Sequence, residues 1–454
     1  MPLSATPYEP SAVTWWWLNG DVAAPDRPAL ISADGEIVSR GALASSVQAS
    51  ARHLLDQGID RADRLALWLP PGTARAAALL AGMAVATVAP LTQARSREIA
   101  EEDLRRLRAT RVVVGNQPPP EVLQAAEALG LDVIAFDPFR MPAHRAGSLP
   151  LPASDDIALV LQSSGTTSRP KVIPLSHANI FAGACSVVEV LALDSEDRAL
   201  AAMPMVHIHG IVATLLAPLL AGGSVICCRE RAVKQLVIQL TSLRPTWFSA
   251  SPPLLLALAD EVERSEETPL ACDLRFLRSV TMPLASFARD RLEALFNIPV
   301  LEVYGMTEAS SQVCSTRLPE SGVPRRPGTV GVPAGPDVTV LNADGELCAP
   351  SEVGEVAIRG SCVTRGYEDE AQTGWHQDAR GQSWFLTGDE GWFDEDGHLT
   401  LSGRLKEMIN RGGMKVQPLR VDEALNLHPA VLESLSFGVS HVTSPTTSKV
   451  VRPV

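Results

Sequence analysis

Short apolar runs alternate with amphipathic stretches along the first two thirds of the chain. From 62 to 136, strand-like runs at Arg64–Leu69, Ala84–Ala89, Arg111–Val114 and Leu131–Phe136 are interleaved with helical patterns at Ala74–Gly82, Arg95–Leu107 and Glu121–Leu129. That alternation predicts βαβ units and a parallel sheet. A second series runs from Arg198 to Val303, with strands expected near Leu200–Pro204, Ser224–Cys228, Trp247–Ala250 and Phe276–Thr281. The two series together predict two stacked α/β layers. Beyond 328, runs at Val338–Leu341, Gly354–Ile358, Gly391–Phe393 and Leu399–Ser402 are separated by Gly, Asp and Pro. This spacing predicts a smaller β-rich subdomain. Residues 137–154 are proline-rich and read as a linker, and the Trp15-Trp16-Trp17 cluster reads as packing.

Bulk properties narrow the function. At 454 residues the chain is too long for one ordinary core, so at least two domains or subdomains are expected. With 46% apolar and 20% charged residues it has ample material for a globular core. A net charge of −13 argues against a general nucleic-acid or anionic-membrane binder, so any nucleotide site must be a local pocket of donors. Seven irregularly spaced cysteines point to a reducing compartment. The first residues lack a basic start and an apolar core, so no signal peptide is expected. The uncharged run Ala76–Thr92 contains Gly82 and Pro90 and reads as a buried helix turning into a strand, not a membrane span. A cytoplasmic protein is the expectation.

Four stretches carry candidate chemistry. Residues 161–171 read LQSSGTTSRPK: an apolar strand, Ile157–Leu161, empties into Ser163, Ser164, Gly165, Thr166, Thr167 and Ser168, then Arg169, Pro170 and Lys171. Backbone N–H groups and hydroxyls in such a turn can converge on phosphate oxygens. No Walker A pattern can be read here, and a plain Ser/Thr-rich loop remains the alternative. Next, the expected strand Leu301–Tyr304 leads into Gly305-Met306-Thr307-Glu308. Glu308 beside phosphates would hold Mg²⁺, and Tyr304 could stack on a base. Taken alone, Thr307-Glu308 reads equally well as a helix N-terminus with a cap and an acidic first turn. In Phe385-Leu386-Thr387-Gly388-Asp389 a carboxylate follows what reads as a glycine turn, and such an acid can accept from ribose hydroxyls. Last, Arg404 in GRLKEMINRGG offers a planar fork to phosphate or ribose oxygens, and Gly412-Gly413 permits close backbone approach.

The order and spacing of SSGTTSRPK, YGMTE, GEVAIRG, FLTGD and GRLKEMINRGG resemble the adenylate-forming superfamily of acyl-CoA synthetases, adenylation domains and luciferases. The resemblance covers the chain to about residue 440. Within it, Ser168 in TTSRPK, the MTEAS run and INRGGMKVQP are similar to small-acid CoA ligases of the oxalyl-CoA synthetase kind. The resemblance implies an N-terminal AMP-binding domain over residues 1–403, built of two stacked α/β subdomains and a β-rich one. It implies a truncated α+β C-terminal domain over 404–454. Residues Ser163–Lys171 would hold the β- and γ-phosphates of ATP, Tyr304 would face adenine, and Thr307 would contact the α-phosphate. Glu308 would bind Mg²⁺, Asp389 the ribose hydroxyls, and Arg404 ribose or phosphate. Thr307, Glu308 and Lys171 would thus carry the catalysis. Lys406 would be the hinge, and His207 matches a histidine at the acyl pocket's entrance, where a packing role is equally open.

Departures from that pattern matter as well. Val280-Thr281-Met282-Pro283 replaces the usual small residues, so Met282 would reshape the nucleotide or acyl pocket. Ser311 stands where oxalate-type relatives tend to have histidine, which removes a potential cation beside a second carboxylate and argues against oxalate. The family's C-terminal lysine has no counterpart, because Lys449 lacks the preceding glycine, and Arg420 stands where glutamate is usual. The expected reaction is ATP-dependent formation of an acyl-adenylate from a carboxylic acid, with pyrophosphate released and the acyl group passed to CoA. The alternatives are transfer to a carrier protein or amine, or an impaired nucleotide-binding relative.

Overall fold

The computed structural model describes residues 15–18, 22–92, 96–141, 149–163, 170–229, 232–265, 270–368, 374–411, 414–418, 421–422, 425, 431, 434–441 and 444–453. Two sheets organise the large N-terminal body. In the first, strands Asp132–Ala135, Arg111–Val114, Arg64–Trp68, Thr87–Pro90 and Ile157–Gln162 lie side by side and parallel. Val172–Ser176 closes its edge antiparallel to Ile157–Gln162. In the second, Val300–Tyr304, Phe276–Ser279, Trp247–Ala250, Arg198–Ala201, Ser224–Cys227 and Pro28–Ser32 form the parallel centre. Short antiparallel strands extend both of its edges.

One core joins the two sheets. It takes Leu65, Leu67, Val88 and Leu159 from the first and Ala199, Trp247, Phe276 and Leu301 from the second. Helix Thr73–Val85 fits between them because it is apolar all round: eleven of its thirteen residues are buried. Helix His177–Leu191 is capped at its start. Ser176 accepts from the Asn179 N–H, and Asn179 Oδ1 accepts from the Ser176 N–H, a complete capping box. Trp15 and Trp17 stack at 4.9 Å and are buried, so the tryptophan cluster is packing. A third sheet, ordered Asp337–Leu341, Gly354–Arg359, Ser383–Phe393 and Trp375–Gln377, with Leu399–Arg404 beside Ser383–Phe393, is the β-rich subdomain. Two hairpins follow, Ile409–Arg411 with Met414–Val416 and Ser434–His441 with Ser444–Pro453.

Three local expectations need correcting. Ala84–Ala89 is not one strand: the helix runs to Val85, breaks at extended Ala86, and the strand starts at Thr87. The Ala-Val text serves either state, and burial on both sides lets the helix continue. Phe385–Asp389 contains no chain-reversing turn, since it lies inside the eleven-residue strand Ser383–Phe393. Thr307–Ala309 is a single 3-10 turn without a side-chain cap, not the start of a helix.

Candidate active site

The first group gathers where the chain leaves and re-enters the edge of the six-stranded sheet. Gln162 pairs with Val172, the Ser163 N–H donates to the Lys171 carbonyl at 2.9 Å, and the Lys171 N–H donates to Ser163 Oγ at 2.9 Å. The two strand ends are therefore held together at Ser163 and Lys171. Ser164, Gly165, Thr166, Thr167 and Ser168 lie outside the described residues. At the neck, the Lys171 ammonium sits 3.8 Å over the Tyr367 ring. The Tyr367 hydroxyl in turn donates to Glu308 Oε1 at 2.9 Å. Burial pushes the Glu308 carboxyl above the ordinary glutamate range, and its hydrogen bonds and the charges of Lys171 and Arg404 pull it part of the way back.

The second group joins the nine-stranded sheet to the β-rich one. Tyr304, at the end of Val300–Tyr304, donates its hydroxyl to Asp389 Oδ2 at 2.5 Å across 85 residues of chain. Arg404 Nε stands 3.3 Å from Asp389 Oδ1. Asp389 owes its position to a bulge. Glu355 pairs with Glu390 and Ala357 with Leu386, so two steps of one strand face four of the other. Thr387, Gly388 and Asp389 thus stand opposite Val356 alone, with Gly388 at φ +77°, where a side chain would be strained. Burial raises the Asp389 pKa, opposed first by the Tyr304 hydrogen bond and then by Arg404. Gly305 holds Tyr304 and Glu308 to the same corner, because a Cβ there would fall on the Ser311 carbonyl oxygen.

The remaining sequence candidates are dispersed. Thr307 is half-buried and opens the 3-10 turn that carries Glu308. Arg404 and Lys406 are exposed at the end of Leu399–Arg404. His207 is exposed, whereas His209 is buried, with Nε2 2.8 Å from Ser249 Oγ. Met282 is 53% exposed just beyond Phe276–Ser279, and Ser311 is buried with φ 133°. A cavity of about 780 Å³ opens at the C-terminal ends of both sheets, beside Trp68, Asn116, Phe136, Met203 and Val206. Tyr304, Glu308 and Asp389 do not line it.

Tyr367 and Arg278 escape the sequence reading. For Tyr367 the available signal is scarcity: the chain has three tyrosines, and two of them reach the carboxylates of this corner. Among the described residues no cluster of three His, Cys, Asp or Glu could cage a metal. No described helix is long and apolar enough to cross a membrane.

Comparison with known proteins gives the same picture over most of the chain. Residues 21–368 match the family model described as AMP-binding enzyme. An oxalate–CoA ligase of Arabidopsis thaliana is 36% identical over 91% of this chain and 83% of its own length. A sulfoacetate–CoA ligase of Cupriavidus necator is 34% identical over 91% and 82%. The crystal structure of ATP-bound MatB from Rhodopseudomonas palustris superposes with a TM-score of 0.86 at 25% identity, covering 96% of this chain and 87% of that one. The match over residues 21–368, which span both stacked sheets and carry Lys171, Tyr304 and Glu308, places the chain in the AMP-binding enzyme family.

Proposed function

We propose that the protein activates a small carboxylic acid with ATP, forming an acyl-adenylate and pyrophosphate, and then passes the acyl group to the thiol of CoA. The observation that carries this reading is the convergence of Lys171, Tyr367 and Glu308 with Tyr304, Asp389 and Arg404, from five separated segments. The names of the CoA ligases it resembles support CoA as the acceptor.

The chemistry joins two anions. A carboxylate oxygen attacks the α-phosphorus in line, the bond to the bridging oxygen breaks, and pyrophosphate leaves with that electron pair. Thiolate attack on the acyl carbon then expels AMP. Charge neutralisation and positioning must supply most of the acceleration. Lys171, held at the neck of its loop, faces the β- and γ-phosphates, with Ser163 and residues 164–168 as further donors. Thr307 donates to the α-phosphate. Asp389 accepts from the ribose hydroxyls, and the Tyr304 hydroxyl and Arg404 fix its two oxygens. The Tyr304 ring borders adenine. A lone carboxylate at Glu308 fits Mg²⁺, which takes one or two carboxylates plus phosphates and water, and which would neutralise phosphate charge there.

Residues 1–403 form the adenylating body, and 404–454 begin a C-terminal unit hinged near Lys406. The contact from Gln417 Nε2 to Glu390 Oε2 at 3.0 Å supports that junction. His207 and Met282 lie on the acyl side. Seven free cysteines support a cytoplasmic setting. Acid-dependent exchange of labelled pyrophosphate into ATP tests the first half of the reaction. Addition of CoA should then release AMP and form a thioester. Exchange without thioester formation would move the acceptor to a carrier protein or amine. Tight ATP binding with no exchange for any acid would refute the activity.

A further inference from the structure

The segment 361–368 follows strand Gly354–Arg359 and carries Tyr367, yet it belongs to no helix or strand. Its backbone groups must therefore find partners among other elements. Asn179 Nδ2 donates to the carbonyls of Ser361 at 2.8 Å and Val363 at 3.0 Å, while its Oδ1 closes the capping box of its own helix. Thr364 Oγ1 donates to Pro174 O at 2.7 Å, and the Thr364 N–H to Glu308 O at 2.8 Å. The Glu368 N–H donates to Val172 O at 3.0 Å. The segment is thus tied to strand Val172–Ser176 on one side and to the turn of Glu308 on the other.

The last of these ties is ionic. Arg64, the first residue of strand Arg64–Trp68, places Nη1 and Nη2 at 2.8 and 2.7 Å from the two oxygens of Glu368, across 304 residues of chain. The guanidinium is itself anchored, because Nη1 also donates to Leu107 O at 2.8 Å, and the Arg64 N–H donates to Thr110 Oγ1 at 2.9 Å. The two side chains are only 18% and 15% exposed, so water screens the pair little. A pair of this kind adds little net stability over apolar packing, but its planar two-bond geometry fixes an orientation. Orientation is what the next residue needs. Tyr367, preceded by Gly366 at φ +132°, must keep its ring 3.8 Å under the Lys171 ammonium while its hydroxyl reaches Glu308 Oε1 at 2.9 Å. A displacement of about 1 Å along the segment would break that hydroxyl contact.

We propose that Arg64 and Glu368 are a positioning pair for the adenylation step: their two-bond clamp holds segment 361–368 so that Tyr367 keeps Lys171 and Glu308 in the relation the triphosphate needs. This rests on the acid-activating reading above. Both residues act through Tyr367, and their separation in the chain hides them from any motif around the phosphate loop.

Pyrophosphate exchange and calorimetric titration with ATP and Mg²⁺ are measured for Arg64→Met and Glu368→Gln, each alone and combined with Tyr367→Phe. Each clamp variant should lower kcat by about tenfold and leave the KM for the acid within about twofold of wild type, because only the phosphate side is disturbed. In the Tyr367→Phe background the same changes should cost less than about twofold, the signature of action through one contact. Arg64→Lys should recover part of the loss, since an ammonium restores the charge but not the fork. Denaturant unfolding reads folding separately. Losses that multiply in full with Tyr367→Phe, or a kcat unchanged in a folded Arg64→Met protein, overturn the proposal and leave the activity standing. Should Arg64→Met fail to fold, Glu368→Gln, which keeps the size of the side chain, decides by the same cycle. If no acid supports exchange, the acid-activating reading fails separately, and the cycle in ATP affinity still tests the clamp. Clamp and Tyr367→Phe variants should then each weaken binding by about threefold or more without multiplying, and full multiplication overturns the pair.

Discussion

Removing one hydroxyl tests how the nucleotide corner is built. Tyr304→Phe keeps the ring but deletes the 2.5 Å hydrogen bond to Asp389. Asp389 is 8% exposed, and its other partner, Arg404, is largely in water at 3.3 Å, so solvent screens the pair. The tyrosine bond therefore dominates the stabilisation of the carboxylate. A hydrogen bond to a charged group contributes about 1.5–3 kcal/mol, which equals a rise of about 1–2 units in the Asp389 pKa when it is lost. Burial already raises that pKa above its unfolded value, so the folded state binds the proton more tightly, and this group's contribution to stability falls as pH rises. The loss runs from the ordinary aspartate pKa up to the folded one, and Tyr304→Phe extends that window upward. Unfolding by denaturant should thus show the variant destabilised at neutral pH and nearly equal to wild type once Asp389 is protonated in both states. Titration of ATP binding against pH should show the acidic midpoint displaced upward by about 1–2 units. A midpoint that does not move would refute the placement of Asp389 at the ribose, or the role of Tyr304 in keeping it charged.

Further outcomes follow from the same geometry. Glu308→Gln should lower pyrophosphate exchange by at least about 100-fold, while raising the melting temperature because a buried, unfavourably charged carboxylate is removed. In the wild-type protein the acidic limb of kcat/KM should lie above 4.5, the ordinary glutamate value, with activity lost as pH falls through it. Tyr367→Phe should reduce exchange by about tenfold, and the effect should shrink in the Glu308→Gln background, since both act through one contact. Gly305→Ala should cost about 1–3 kcal/mol in denaturant unfolding and lower exchange, because its Cβ meets backbone rather than a yielding side chain.

Much of the fold is legible in the chain because both sheets are built from short, mostly apolar strands bounded by polar turns. Arg111–Val114 and Trp247–Ala250 appear where the pattern places them. The failures share a cause. Nothing in FLTGD distinguishes a turn from a bulge; the neighbouring strand Gly354–Arg359 decides, by pairing on either side of the extra residues. The YGMTE and FLTGD acids are visible as motifs. Their partners are not, because Tyr367 reaches Glu308 over 59 residues and Gln312 reaches Arg278 over 34, distances at which only tertiary packing chooses the pair. Arg278 lies inside the expected strand Phe276–Thr281, and its complete burial emerges only from the packing around that strand.

Attack by a carboxylate oxygen on the α-phosphorus leaves an isotopic trace in the products. With the substrate acid labelled by oxygen-18 in its carboxylate, and ATP and CoA supplied, one labelled oxygen should appear in the phosphate of AMP and none in pyrophosphate. Label in inorganic phosphate with ADP as the nucleotide product, or unlabelled AMP, would contradict the account.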